Sequence, residues 1–360
     1  MKKILSVCLL LMMGSICVAQ TPQAPASGTG IRVTELPQRE IRVTPGQYSG
    51  ITCVGGDRYA VVDDKLPGGG IVFFDIPLRE DGTVRATRVR RTVPEATRDA
   101  AGPSLDNEGV TFADGKLYVS AEKDQSIREY DLDGVATGVA FPVPADLGVG
   151  AIVNNGGFEA LTYNASTGKF WTTTEFPLKK DTEIPRLHRL QRFGAGFAPD
   201  GRFLYQMDEP ARPAAERGPV MAYVYGISAL TALDDGRLIV LEREVYVPDG
   251  RPTEIVLDAF ARVRLYVVDP SDAAGDPARI LPKQLLCEFT TQNLLSALGI
   301  EVELANYEGM CLGPRLPDGR RTLVLIADSQ GGMASLARKL GRDQLTRELV
   351  KVILLEGEGI

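Results

Sequence analysis

Apolar residues along this chain recur at alternate positions in runs of five to eight, and Gly-containing turns separate the runs. A period of two predicts β-strands, since successive side chains leave a strand on opposite faces. The runs come in sets, and a short phrase opens each set: Ser49-Gly50-Ile51-Thr52, Glu108-Gly109-Val110-Thr111, Glu159-Ala160-Leu161-Thr162, Ser228-Ala229-Leu230-Thr231 and Glu308-Gly309-Met310-Cys311. Each phrase is an acidic or hydroxyl residue, a small residue, an apolar one, then Thr or Cys. Successive copies start 59, 51, 69 and 80 residues apart.

After each phrase a turn leads into a second run that closes on an acid, at 55–64, 113–122, 166–175, 234–244 and 317–328. Third strand candidates follow at 71–76, 126–132, 187–193, 262–269 and 349–356, and fourth ones at 83–93, 135–143, 202–208 and 278–289. The fifth set reaches the end of the chain without a fourth run, and an unused strand candidate stands at 31–43. Four-stranded units repeating at this length, the last completed by the N-terminal strand, predict an all-β fold, a β-propeller, in which radial repetition protects the sheet edges. The count gives five blades. A sixth stays open within the two longest intervals, where residues 209–227 read as an insertion around a strand. A β-sandwich would leave the recurring Glu-Gly phrase unexplained. Helical spacing is confined to 333–348, where Leu336, Leu340 and Leu345 alternate with Arg and Lys; it predicts a helix laid on blade five.

The N-terminus has a different pattern. Lys2 and Lys3 precede an apolar run that ends at Ala19, which predicts a cleavable signal peptide over 1–19 and a secreted or periplasmic protein. Residues 20–30, rich in Pro, Gly and Ser, read as a disordered linker, leaving 31–360 as one propeller domain. No later stretch is long and apolar enough to span a membrane. Cys53, Cys287 and Cys311 remain after cleavage, so at most one internal disulfide is expected, with three separate thiols as the other reading.

Charge and residue inventory remove several function classes. The net charge of −7 argues against binding nucleic acid by phosphate neutralisation. A single histidine, His188, excludes His-rich zinc sites and paired-histidine phosphatases, and its place in an Arg-rich strand candidate marks it as a surface or packing residue. There is no GxSxG elbow, no GxGxxG and no GxxxxGK[ST] loop.

The chemistry therefore rests on the repeat. Equivalent positions of a propeller converge on its axis, so Glu108, Glu159 and Glu308 are expected to meet there, with Ser49 and Ser228 completing the ring. The acids that close the second runs, Asp64, Glu122, Glu175, Glu242 and Asp328, would form a second set near one mouth. Like charges about 4 Å apart cost roughly 4 kcal/mol per pair at an effective dielectric of 20. A cation is thus expected among them, either Arg243, Arg128 or Lys123, or a bound calcium, which accepts six to eight oxygen ligands in irregular carboxylate cages. The absence of His and Cys clusters disfavours zinc. The blander reading scatters these acids over separate solvated loops. Asn107, Asn154, Asn155 and Asn306 flank the phrases, as turn formers or as neutral oxygen ligands.

The segments LDNEGVTFADGKLYVSAE (105–122), NNGGFEALTY (154–163), LIVLERE (238–244) and NYEGMCLGPRLPDGRRTLVLIADS (306–329) together resemble the phytase-like family, also described as "esterase-like activity of phytase". The resemblance runs from about Gly46 to Asp328 and on to the terminal strand. It implies a secreted β-propeller and hydrolysis of ester or phosphoester bonds. By analogy with calcium-dependent propeller phytases, it implies Glu108, Glu159, Glu242, Glu308 and Asp328 as metal ligands, with Glu108, Glu159 and Glu308 as catalytic candidates. Arg243 would hold an anionic, small-molecule or phosphorylated substrate, and the protein would act as a monomer. The alternative is a non-catalytic propeller whose mouth binds a glycan, a peptide or a small metabolite.

Overall fold

A computed structural model of the chain describes residues 30–360, apart from 86–87, 297–298 and 340–343. The expected signal peptide, and the linker up to residue 29, lie outside the described residues. The chain forms five four-stranded antiparallel sheets arranged as the blades of a β-propeller. Strands β1 (Arg32–Glu35) and β2 (Arg39–Glu40) come first. Blade one is β3 (Tyr48–Gly55), β4 (Arg58–Asp63), β5 (Ile71–Asp75) and β6 (Arg90–Thr92), followed by the short helix α1 (Glu95–Asp99). Blade two is β7 (Asn107–Ala113), β8 (Lys116–Ala121), β9 (Ser126–Tyr130) and β10 (Ala136–Ala140). Blade three is β11 (Phe158–Asn164), β12 (Lys169–Thr174), β13 (Leu187–Phe193) and β14 (Pro199–Gln206).

Blade four is built from longer strands, β15 (Val220–Ala232), β16 (Leu238–Pro248), β17 (Phe260–Val268) and β18 (Lys283–Gln292), with helix α2 (Pro252–Asp258) between the middle two. A small hairpin of β19 (Leu294–Ser296) and β20 (Gly299–Glu301) leads to blade five, which is β21 (Asn306–Arg315), β22 (Arg321–Asp328) and β23 (Leu349–Glu356). Its fourth place is taken by β1, which pairs antiparallel with β23 in the register Val33↔Leu355, while β2 pairs with the other end of β23. The ring therefore closes with the N-terminal strand, and the two long intervals hold the loop before β15, α2 and the β19–β20 hairpin rather than a sixth blade.

The core lies between blades. Five buried clusters each join one sheet to the next, for example Ala60, Val62 and Phe73 of blade one with Val110, Leu117 and Val119 of blade two. Because both faces of a blade are covered, the middle strands read as almost unbroken apolar runs such as Ile71-Val72-Phe73-Phe74. Ile31 and Val33 enter the cluster between blades four and five, beside Leu241, Leu265, Leu325 and Ile353.

Two expectations need correction. The helix read over 333–348 shortens to α3 (Ala334–Lys339). Beyond the undescribed residues the chain turns back, with the Leu345 amide donating to the Gly332 carbonyl at 3.0 Å, and buried Leu345 packs on Ala337 and Val256 without being helical. The insertion read over 209–227 is in part the beginning of β15, which extends the first strand of blade four to 13 residues.

Removing residues 31–43 is expected to expose the edge of β23 and to yield insoluble protein, judged by soluble expression and size exclusion. The milder Ile31→Ala should lower stability by about 2–5 kcal/mol in denaturant melts. A soluble, equally stable deletion variant would contradict closure by β1.

Candidate carboxylate site at the propeller mouth

The register of the inner hairpins defines which residues are equivalent. Ile51, Val110, Leu161, Leu230 and Met310 pair with Val61, Val119, Thr172, Val240 and Leu325. Two residues before the first set lie Ser49, Glu108, Glu159, Ser228 and Glu308. Three residues after the second lie Asp64, Glu122, Glu175, Arg243 and Asp328. In all five blades the ladder shifts register at the phrase, between Tyr48 and Ile51, Asn107 and Val110, Phe158 and Ala160, Ile227 and Ala229, and Tyr307 and Gly309. Such a bulge bends the strand and re-aims a side chain, and in blades two, three and five the side chains beside it, Glu108, Glu159 and Glu308, converge.

The small second position of the phrase follows from the crowding of the inner strands. A Cβ on Gly109 would lie 2.6 Å from the Leu161 amide nitrogen, and one on Gly50 would lie 2.7 Å from that of Val110. The fourth position holds the blades together at the opposite end of the channel. Thr231 Oγ1 donates to the Met310 carbonyl at 3.1 Å, and Thr162 Oγ1 accepts the Ala232 amide at 3.1 Å. Cys311, which takes that place in blade five, is a free thiol, as are Cys53 and Cys287.

At the mouth, carboxylate oxygens of Glu108, Glu159 and Glu308 come within 4.8 Å of one another, and the same holds for Glu122, Glu159 and Glu175 and for Asp64, Asp106 and Glu108. Strands far apart in sequence thus deliver one continuous group of acids. Arg243 stands inside it. Its guanidinium pairs with Glu175 and Glu308, lies 3.8 Å from Glu159 and donates to Asn306 Oδ1 at 3.3 Å. At the rim, Lys65 reaches Asp64 at 2.6 Å and Asp106 at 3.2 Å, and Lys123 reaches Asp106 at 3.4 Å. Glu122 accepts the Gly157 amide at 2.7 Å, and Asp328 accepts that of Gln330 at 2.8 Å.

With Asp328, whose ionisation Glu308 and Asp64 oppose, eight carboxylates meet three side-chain cations. Burial is the main cause of the resulting shifts, and neighbouring acids add to it. Glu108 is held well above the usual carboxylate range by burial and then by Glu308; Glu159 by burial, Glu175 and Glu108. Burial pushes Asp64 up to about 6 and Glu122 up to about 7. Asp64 Oδ1 and Gln125 Oε1 are buried without a hydrogen-bond partner. An all-oxygen donor set, an excess of negative charge and an unpartnered carboxylate oxygen fit a hard divalent cation.

The structure does not bring every expected residue here. Glu242 points away from the axis, because neighbouring residues of a strand face opposite sides and Arg243 holds the inward position. It is bound instead between blades three and four by Tyr205 Oη at 2.7 Å, Lys283 Nζ at 2.6 Å and Arg264 at 3.5 Å. Glu244 faces the same way and accepts the Ala211 and Arg212 amides at 2.6 and 2.9 Å, which secures the loop before β15. Arg243, expected to clasp an anionic substrate, spends its terminal nitrogens on Glu175, Glu308 and Asn306, and its Nε is buried without a partner. Arg128 pairs with Asp124 at 2.5 Å and stays outside the group, and Ser228 donates to the Tyr307 carbonyl at 3.3 Å. His188 is buried, with Nδ1 3.3 Å from the Thr174 carbonyl; burial lowers it to about 4 and keeps it neutral. Asp106, absent from the expected set, joins through a backbone φ of 52°, a left-handed conformation that Asp tolerates better than most residues. The Asp106-Asn107 pair before the phrase is the sequence signal for it.

Residues 44–330 match the family model described as "Phytase-like: Esterase-like activity of phytase", and the chain belongs to that family. No curated protein matches the sequence. Among solved structures, the chain is similar to a streptogramin B lyase at 10% identity, with 90% of this chain and 98% of that one covered and a TM-score of 0.36. The PQQ-bound aldose sugar dehydrogenase of Streptomyces coelicolor gives 11%, 93%, 100% and 0.41 for the same quantities, and the glutaminyl cyclase of Myxococcus xanthus 11%, 90%, 97% and 0.37. Likenesses this remote carry no argument about chemistry.

A separate buried acid yields a pH prediction. Glu348 accepts the Gly46 amide at 3.0 Å and the Ser329 hydroxyl, and burial pushes it up to about 7. A raised carboxyl contributes stability that is complete below its unfolded value and is lost as pH rises through its folded one. Between about pH 4.5 and 7, Glu348 should cost the fold about 3 kcal/mol, taken as 1.36 kcal/mol per unit. Glu348→Gln is expected to remove that part of the pH slope in denaturant melts; an unchanged slope would show that Glu348 is ionised in the fold throughout this range.

Proposed function

We propose that this phytase-like propeller is an exported hydrolase of ester or phosphoester bonds that uses bound calcium at the carboxylate mouth. The observation that supports this reading is the imbalance of eight converging carboxylates against three side-chain cations, with Asp64 Oδ1 buried and unpartnered. Asp64, Asp106, Glu108, Glu159 and Glu308 are the residues that would hold the ion. When bound there, calcium would supply electrophilic pull on an ester or phosphoryl oxygen and acidify a coordinated water.

The chain's own residues have separable tasks. Arg243 orients Glu175 and Glu308 by charge-assisted hydrogen bonds, which fixes the donor set before any ligand arrives. Glu122 commits Oε1 to the Gly157 amide, leaving Oε2 as the atom that can hold or pass a proton. The neutral His188, buried with Nδ1 against the Thr174 carbonyl, has no role in this scheme. A second reading, a propeller that binds a ligand without transforming it, is favoured by one observation: both terminal nitrogens of Arg243 pair with protein acceptors, so its fork is not open to clamp an anion.

Calcium at 100 times its dissociation constant is expected to stabilise the protein by about 2.7 kcal/mol, with chelator reversing the gain in thermal melts. Glu108→Gln should make the metal-free protein more stable at neutral pH, by removing the cost of placing a carboxyl that burial and Glu308 hold well above its usual range, and should weaken the response to calcium. Cleavage of p-nitrophenyl phosphate or p-nitrophenyl acetate that chelator abolishes would support hydrolysis. Indifference to calcium in both melts and assays would remove the metal, and calcium binding with no turnover on a broad ester panel would favour the binding protein.

A further inference from the structure

The inner hairpin of blade four is longer than its counterparts. Strands β15 and β16 have 13 and 11 residues, against 7 and 6 for the matching strands of blades two and three. The added residues continue past the carboxylate ring as a wall. Opposite them stand residues 304–306 before and at the start of β21, the turn at 330–333 and the beginning of α3. A cavity of about 620 Å³ lies between, within the usual range for small-molecule sites.

Its chemistry is divided. The floor is Arg243, Glu308 and Asp328, shared with the carboxylate site. The walls are largely apolar: Val224, Val245, Val247 and Leu304, with Met221 and Met333 toward the rim. Val247 and Leu304 are buried in a cluster with Ile255 and Ala259, so α2 braces the rear wall. Met221 is 57% exposed, and an unbranched thioether can adapt to differently shaped apolar groups. Among the residues lining the cavity, Arg243 is the one side-chain cation, and protein carboxylates and Asn306 occupy it. A compact polyanion would therefore meet an apolar wall and a floor whose two carboxylates, Glu308 and Asp328, stand beside a single cation with both terminal nitrogens already paired.

We infer that this cavity receives the apolar portion of the substrate, so that the site is shaped for esters carrying an alkyl or aryl group of medium size whose polar end lies on the carboxylate floor. The inference rests on the ester-hydrolase reading for the word substrate, but the cavity's preference for an apolar group can be measured without metal or turnover.

The test uses the full chain and the neutral fluorophore N-phenyl-1-naphthylamine, titrated with chelator present and again with calcium. Saturable binding at one site is expected. Octyl acetate should displace the probe, and ethyl acetate at the same concentration should not, since each buried methylene tightens binding about three- to fourfold. Inositol hexakisphosphate should not displace it. Ala222→Trp fills the cavity from an exposed wall position and should weaken probe binding at least tenfold, leaving the melting temperature and its response to calcium unchanged. Met221→Glu, at the exposed rim, should weaken it several-fold. Non-saturable binding, equal binding by both variants, or displacement by inositol hexakisphosphate would overturn the inference. Octyl acetate binding in a protein that shows no hydrolysis and no calcium response would uphold the cavity and retire the hydrolase. Calcium-dependent turnover with no probe binding would do the reverse.

Discussion

The close approach of the five innermost strands governs the rest of this molecule. Where blades one and two, two and three, and five and one meet, the second residue of the phrase has a neighbouring strand's backbone where its Cβ would be, so glycine stands at 50, 109 and 309. A bulge stands at that point in every blade, with alanine in place of glycine at 160 and 229, and in blades two, three and five the residue beside it is Glu108, Glu159 or Glu308. Backbone packing thus comes first, and the gathering of carboxylates is its geometric result. Once Glu108 and Glu159 are committed to one small volume beside Glu308, the ionisation of these two becomes a property of the group, because the neighbouring carboxylates add to the cost that burial sets on charging them.

Blade four breaks the symmetry. Where the other blades place Asp64, Glu122, Glu175 and Asp328, it places Arg243, and this one exchange gives the ring a fixed internal counter-ion. A buried guanidinium between carboxylates is strongly oriented, so Arg243 gives the mouth a direction as well as a balancing charge. On the reverse face of the same strand, Glu242 and Glu244 bind Tyr205, Lys283 and the loop before β15. Three consecutive charged residues thereby serve two different sites, which only the alternation of a strand permits. The apolar cavity lies on the arginine's face of the long hairpin, where Val245 and Val247 continue the alternation begun by Arg243.

Much of the fold is legible in the chain because the phrase and the strand period are local signals that recur. The four-strand sets, the five blades and the use of residues 31–43 to complete the last one all follow from positions that can be counted. The convergence of Glu108, Glu159 and Glu308 is legible for the same reason. Register within one strand is not: Glu242, Arg243 and Glu244 are all charged, and a displacement of one residue exchanges the two faces. The hairpin pairing of Leu230 with Val240 decides for Arg243, and that pairing depends on a bulge invisible in a hydropathy pattern. Asp106 was hidden because its inward position depends on a left-handed backbone. The cavity could not be read at all, since Val224, Val245, Leu304 and Met333 meet only after separate parts of the chain have packed. The 333–348 segment misled through its leucine spacing, which Leu345 satisfies by burial without a helix.

The pairing of β1 with β23 has a temporal consequence. Arg32 and Glu356 meet although 324 positions apart in sequence, so the last blade cannot be completed until the far end of the chain has been made. By the logarithmic law for loop closure, joining ends this distant costs about 3 kcal/mol more than closing a ten-residue hairpin. Contacts of such long range slow folding, and during that delay blade five is a three-stranded sheet with an open edge. The same contact works in the opposite sense once formed. Neither β1 nor β23 can peel away without disrupting the blade that holds both, so two strands from opposite ends of the described residues are the lock of the ring.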